Sequence, residues 1–159
     1  MYKKILLTHD GSDLAGAAVR HAAGIAKAMG AEVVVLQVVD SVSQLMAQMT
    51  TGTIEPLPAG PLTAEIAQES VSGQHDLAEQ NLGGVRDALK EQGVEQVSMV
   101  VVEGRPEDAI VQAQQELGCD LVVISTHGRT GFRRAMMGSV ADHVIRNTPG
   151  APVLVVHLD

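Results

Sequence analysis

Five short apolar runs, each parted from the next by a segment of different spacing, constrain this chain more than any other feature. Ile5-Leu6-Leu7, residues 33–39, 97–102 and 121–124, and Val153–Val156 are built mainly of Val, Ile and Leu, and most are apolar consecutively rather than alternately. A strand reads that way when both its faces are buried, as in a parallel sheet covered by helices on each side. Between the runs the apolar period lengthens to three and four residues. Leu14, Ala17, Ala18, His21, Ala22, Ile25, Ala26 and Met29 share one helical face, and Gly30 follows where a C-terminal cap is expected. Leu77, Ala78, Leu82, Val85, Ala88 and Leu89 predict a long helix ending near Gly93. Pro106 suits a first helical turn, with Ala109, Ile110, Ala113 and Leu117 facing the core. Val140, Ala141, Val144 and Ile145 predict a last helix, broken by Pro149-Gly150-Ala151-Pro152. The fold class is therefore α/β: an open five-stranded parallel sheet, Rossmann-like and doubly wound. Without an internal repeat or a linker, residues 1–159 read as one domain.

From residue 41 to residue 61 the pattern dissolves. Thr50-Thr51-Gly52-Thr53, Pro56, Pro58, Gly60 and Pro61 predict an irregular excursion, with a short helix around residues 44–49. Such a loop, starting at the end of the second strand, is expected to be mobile and to cover a ligand.

Composition narrows the function. Only Tyr2 and Phe132 are aromatic, so the core has to be aliphatic. A net charge of −8 and a pI of about 5.1, with almost no rings for stacking, speak against nucleic-acid binding. No run approaches the roughly 18 apolar residues of a membrane span. Lys3-Lys4 is followed by only Ile5-Leu6-Leu7 before Thr8-His9-Asp10, too short a core for a secretory leader. Cys119 is the sole cysteine, which reads as a small apolar residue beside a strand in a reducing compartment. A soluble, cytoplasmic protein is expected.

The run at 121–124 leads straight into Ser125-Thr126-His127-Gly128-Arg129-Thr130-Gly131, and Gly138-Ser139 opens the last helix. A strand, then glycines and hydroxyls, then a helix start is how α/β proteins build an anion cradle. Glycine admits a phosphate close to the backbone, and the helix N-terminus supplies unpaired N–H donors and a favourable dipole. Arg129, Arg133 and Arg134 lie within six positions of this segment, where at least one is expected to neutralise a phosphate. The competing reading is a connector with a solvated basic face. Ligands of open parallel sheets sit beyond the carboxyl ends of the strands, where strand order reverses. Asp10, residues 38–40 and residues 125–128 converge there.

Other chemistry finds less support. No phosphate loop ending Gly-Lys-Ser/Thr is present, and no Gly-x-Gly-x-x-Gly follows a strand. His9, His21, His75, His127, His143 and His157 show no metal-ligand spacing beside a Cys or Glu cluster, and His21 reads as a core histidine. No Gly-x-Ser-x-Gly elbow occurs, and the Ser139 hydroxyl has an N-cap role, so no catalytic nucleophile is assigned. Asp10 either serves a ligand or a divalent ion's water, or makes a turn with Gly11 and Ser12; Ser12 or Asp13 can cap the helix that follows.

Taken together the chain resembles the universal stress protein family (UspA-like) along almost its whole length. Lys4-Ile5-Leu6-Leu7-Thr8-His9-Asp10-Gly11-Ser12 looks like that family's first strand and turn. Gly138-Ser139-Val140-Ala141-Asp142-His143-Val144, then Pro152-Val153-Leu154-Val155-Val156, looks like its last helix and strand. Its ATP-binding branch carries Gly-x2-Gly-x9-Gly-Ser/Thr, matched in spacing by Ser125-x2-Gly128-x9-Gly138-Ser139 with the first glycine replaced. The resemblance implies that Asp10 and the Val38 backbone face adenine. Ile124, Ser125 and Gly128 would line the ribose and phosphate path, with Arg129 beside it, and Gly138, Ser139 and the Val140 N–H would hold phosphates. Were Ser125 at positive φ, serine would cost about 1 kcal/mol or more relative to glycine; its hydroxyl can also bond the ribose.

The reading is a universal stress protein that binds ATP, or AMP or ADP, with Mg²⁺, as a nucleotide-responsive regulator or protective factor. Metal ligands are not assigned, and hydrolysis is expected to be slow at most. An ATP pyrophosphatase of related architecture carries Ser-Gly-Gly-x-Asp-Ser after the first strand, which His9-Asp10-Gly11-Ser12-Asp13 does not match. The alternative is a dimeric interaction module of the same fold without a nucleotide. With strand order 3-2-1-4-5, Val153–Val156 lies at a sheet edge, and pairing with its own copy would make a homodimer.

Overall fold

Each apolar run forms a strand in the computed structural model, which describes residues 1–12, 16–52, 56–125 and 138–157. The elements are β1 (Lys4–Thr8), α1 (Gly16–Met29), β2 (Glu32–Val39), α2 (Val42–Thr51), α3 (Pro61–Glu91), β3 (Val97–Glu103), α4 (Pro106–Glu116), β4 (Leu121–Ser125), α5 (Ser139–Asn147) and β5 (Val153–Val156). The strands lie in the order β3-β2-β1-β4-β5, every pair parallel. This is the expected doubly wound sheet.

Period-two alternation divides the core into two layers. Ile5, Leu7, Val33, Val35, Leu121 and Val123 pack under α1 and α3, against Ala22, Ala26, Leu82 and Leu89. Leu6, Val34, Leu36, Val122 and Ile124 face the other way, toward Ile110 and Ala113 of α4 and Ala141 and Val144 of α5. Gly30 closes α1 at φ 65°, and Pro106 occupies the first turn of α4. Cys119 is buried, as expected.

The excursion after β2 contains the short helix expected around residues 44–49, extended to Val42–Thr51 as α2. Ser41 caps it in a reciprocal box with Gln44, donating and accepting across three residues, which makes the helix longer than the Pro and Gly further on suggest. Leu45 packs on Ala67 and Val71 of α3, with Val42, Met46 and Met49 around them. Helix α3 starts already at Pro61. Its 31 residues span about 46 Å, against about 23 Å for the seven-residue β3. The sheet can support only its second half; α2 supports the first. Residues 53–55 of the excursion lie outside the described residues.

Helical faces are also rotated at the margins. The buried side of α1 includes Val19 and Ala23, and His21 is exposed rather than a core histidine. Leu77 and Ile145 are exposed, because packing on a sheet buries a narrower stripe than the full apolar pattern. Leu14 and Asp13 lie outside the described residues.

Candidate functional site

Register brings the carboxyl ends of the strands to one rim. Thr8 pairs with Leu36, Leu7 with Val123, Ser125 with Val156 and Val39 with Glu103. The order reverses between β1 and β4, so Asp10, Val38, Ile124 and Ser125 meet at the crevice where such sheets take ligands. Ile124 is buried beneath it, and Val38 and Ser125 are half-buried.

Backbone alternation sets where the Val38 peptide groups point. Val33 N–H bonds Gln96 O and Gly104 N–H bonds Val39 O, so odd residues of β2 pair with β3. Glu32 N–H bonds Lys3 O, and His9 N–H bonds Leu36 O at 2.8 Å, so even residues pair with β1. Beyond His9 the first strand has ended. The Val38 N–H and C=O therefore point past the sheet's last rung, leaving a donor and an acceptor for a ligand.

Asp10 makes the turn. Its Oδ1 accepts the Ser12 N–H at 3.0 Å and the Ser12 Oγ–H at 2.6 Å, leaving Oδ2 for other partners. Gly11 sits at φ 81°, and a Cβ there would come within 2.9 Å of the Asn81 side-chain nitrogen. Only glycine fits. Its N–H donates to His9 Nδ1 at 3.0 Å, fixing the neutral ring with its proton on Nε2. Burial lowers the His9 pKa, against the opposing pull of Asp10.

Ser125 ends β4, and among the described residues no non-glycine has positive φ. The replaced glycine therefore carries no backbone penalty. Gly138, not Ser139, is the N-cap of α5, at φ −57° and ψ 151°, and among the described residues no side chain caps it. The expected Ser139 cap is thus corrected: Ser139 is already the first residue inside the helix, so the cap position is Gly138. Asp142 N–H to Gly138 O is the first bond of the helix, so the N–H groups of Ser139, Val140 and Ala141 precede its ladder. Gly128, Arg129, Arg133, Arg134 and His127 lie outside the described residues.

Two anchors of the rim are invisible in the sequence pattern. Gln74 of α3 accepts the Asp40 N–H at 3.0 Å and donates to the Asp40 carboxylate at 3.3 Å. His75 meets Glu103 at 3.1 Å. A groove of about 450 Å³ begins at His9, Gly11 and Ser12 and runs between α1 and α3 past Gly16, Val19 and Gly84, on the face opposite α5. The described residues bring together no three His, Cys, Asp or Glu side chains able to hold a metal ion.

The profile of the universal stress protein family matches residues 1–157. The chain belongs to that family. Universal stress protein MJ0531 of Methanocaldococcus jannaschii is 38% identical over 156 residues, spanning 98% of this chain and 82% of the relative. Universal stress protein MJ0577 of the same organism is 27% identical across 98% of this chain and 95% of its own length. The solved structure of MJ0577 has a TM-score of 0.81 to this universal stress protein, at 26% identity, covering 100% of this chain and 98% of that one. A universal stress protein crystallised in complex with cAMP has a TM-score of 0.66 at 25% identity, covering 98% and 97%. No helix among the described residues is long and apolar enough to cross a membrane.

Proposed function

We propose that the crevice between β1 and β4 binds an adenine nucleotide, ATP or its AMP or ADP relatives, and that the protein is a nucleotide-responsive stress regulator. The observation that carries this reading is the uncapped start of α5 at Gly138, opposite the open Val38 backbone at the same rim. One end offers N–H donors and a positive dipole end for phosphate; the other offers a paired donor and acceptor for a base edge, with Asp10 Oδ2 beside it. The cAMP complex of a family member supports an adenine nucleotide as the ligand class. Ser125 would meet the ribose, and Gly128, with Arg129, Arg133 and Arg134, the phosphate path. Mg²⁺ would enter with the nucleotide, held chiefly by phosphates and water. We place the protein in the cytoplasm, as a homodimer through β5.

Gly138→Val tests the phosphate end. The N-cap dihedrals lie in or near the extended region open to valine, so the substitution fills space with little backbone strain. Titration calorimetry with ATP and Mg²⁺ is expected to show affinity reduced about tenfold or more, the equivalent of one to two lost backbone bonds. Equal affinity in both proteins would remove α5 from the site.

A further inference from the structure

Every Lys and Arg of this chain lies at or before Lys27 or at or after Arg86, while Glu32, Asp40, Glu55, Glu65, Glu69, Asp76 and Glu79 fall between. Helix α3 carries the last four of these carboxylates, Glu65, Glu69 and Asp76 on the half that outruns the sheet and Glu79 just past its midpoint. All four are exposed and none is ion-paired within the described residues. The same stretch of the helix exposes large apolar side chains: Leu62 at 70%, Leu77 at 57% and Ile66 at 39%.

Their spacing makes one surface. Steps of four, seven and four residues through Leu62, Ile66, Gly73 and Leu77, at roughly 100° per residue, hold all four within about 60° of the helix circumference. Glu65, Glu69 and Asp76 follow along one border of that stripe. A side chain added at Gly73 would meet nothing within 4 Å, so the stripe stays open between Ile66 and Leu77. From Leu62 to Leu77 it runs about 22 Å. The opposite side of α3, with Ala67, Val71, Ala78 and Leu82, is buried against α2 and the sheet.

We infer that this stripe of α3 is a docking surface for a basic amphipathic helix of another protein. Three apolar side chains spread over four turns and bordered by carboxylates suit a helix that presents leucine-like anchors at i, i+4 and i+11 and Lys or Arg beside them. A second copy of this chain is the poorer occupant. An isologous contact would bring Glu65, Glu69 and Asp76 against their own copies, with no basic residue of the arm to relieve them. An anionic lipid surface would be repelled for the same reason.

The test uses the full chain and three synthetic peptides of about 18 residues, long enough to cover the stripe as a helix. One is a Leu/Lys peptide with helical apolar spacing, one has the same composition scrambled to abolish the apolar face, and one replaces Lys by Glu. Fluorescence anisotropy is read against wild type, Leu62→Ser/Ile66→Ser/Leu77→Ser and Glu65→Gln/Glu69→Gln/Asp76→Asn. The amphipathic basic peptide is expected to bind wild type at least about tenfold more tightly than either other peptide, and to lose about tenfold or more in each variant. Because every substituted side chain is exposed, both variants should keep the wild-type circular dichroism; the carboxamide variant carries the test if the serine variant unfolds. Absence of binding, equal binding of the scrambled peptide, or equal binding by the variants would overturn the inference. So would wild-type self-association that disappears in the serine variant, which would make the occupant a second copy.

Discussion

Asp10→Asn separates the two jobs that the turn after β1 assigns to one side chain. The Ser12 N–H and Oγ–H both point at Oδ1, so an acceptor must remain at that position. Asparagine meets the demand with its carbonyl oxygen, which forces its NH2 into the place of Oδ2. The turn survives while the outward group changes from acceptor to donor. If Oδ2 accepts from the exocyclic amine of adenine, the variant loses a hydrogen bond to a charged group, about 1.5–3 kcal/mol, or about 10- to 150-fold in affinity. Inosine triphosphate has a carbonyl oxygen where adenine has the amine. It should gain a neutral bond of about 0.5–1.5 kcal/mol in the variant. The ratio of ATP to ITP affinity is therefore expected to fall by about thirtyfold or more. Titration calorimetry of both proteins with both nucleotides measures it, and thermal melting checks the turn. A melting point within about 2–4 °C of wild type, the equivalent of 1 kcal/mol in a chain of this length, means the turn is intact. An unchanged ATP-to-ITP ratio in a protein that melts normally would refute the placement of Asp10 against the base.

The remaining predictions concern titration, reactivity and assembly. The depressed His9 pKa means the unfolded chain binds more protons below its ordinary value of 6.5, so this contribution is complete above that pH and is lost as pH falls below it. The melting-point gap between wild type and His9→Gln should accordingly shrink from pH 8 to pH 5; parallel curves would show that the Gly11 contact is not coupled to protonation. Burial pushes the Cys119 thiol up to about 11, so at pH 8 a thiol reagent should label it only after denaturation; rapid labelling of native protein would contradict its burial. Val122 N–H bonds Pro152 O, which sets the even residues of β5 toward β4 and turns the Val155 N–H to the open edge. Val155→Pro should then spare the β4–β5 ladder and weaken an edge-paired dimer, and light scattering that finds a monomeric wild type, or a fully dimeric variant at low concentration, would rule that interface out.

The strands were legible because burial on two faces leaves one kind of sequence. Val33 to Leu36 are all buried, two toward each layer, and only consecutive apolar residues satisfy that. Helix faces were less legible. Ala-rich α1 offers apolar side chains nearly all round, so spacing alone did not separate the buried Val19 and Ala23 from exposed His21. The segment after β2 was legible only in part: a short helix around residues 44–49 was expected, but not its full extent. Its helix depends on the Ser41 and Gln44 box and on a partner surface, Ala67 and Val71, supplied by a part of α3 that reads as polar. Gly73 and the many Gln and Glu residues weaken the periodic signal there, and tertiary contact decides what local pattern leaves open.

The candidate site was legible only where topology could stand in for side chains. In the proposed site Val38 would act through its N–H and C=O, and any residue just past the last β1–β2 rung would present the same two groups. The start of α5 likewise offers backbone donors, and its motif residues signal how closely a ligand can approach rather than a chemical group. That is why replacing the first motif glycine by Ser125 changes less than it first suggests: the position is extended strand, so the side chain adds a hydroxyl without distorting the chain. What the sequence hides is what holds this rim in place. Gln74 clamps Asp40 from 34 residues away, and His75 reaches Glu103 from the adjoining position. Both belong to α3, whose outer half bears the acidic stripe. The helix that presents the stripe is thus the one that fixes the ends of β2 and β3. Gln74 and His75 tie that helix to the strand ends by polar contacts, alongside the apolar packing of Ala67 and Val71 on Leu45.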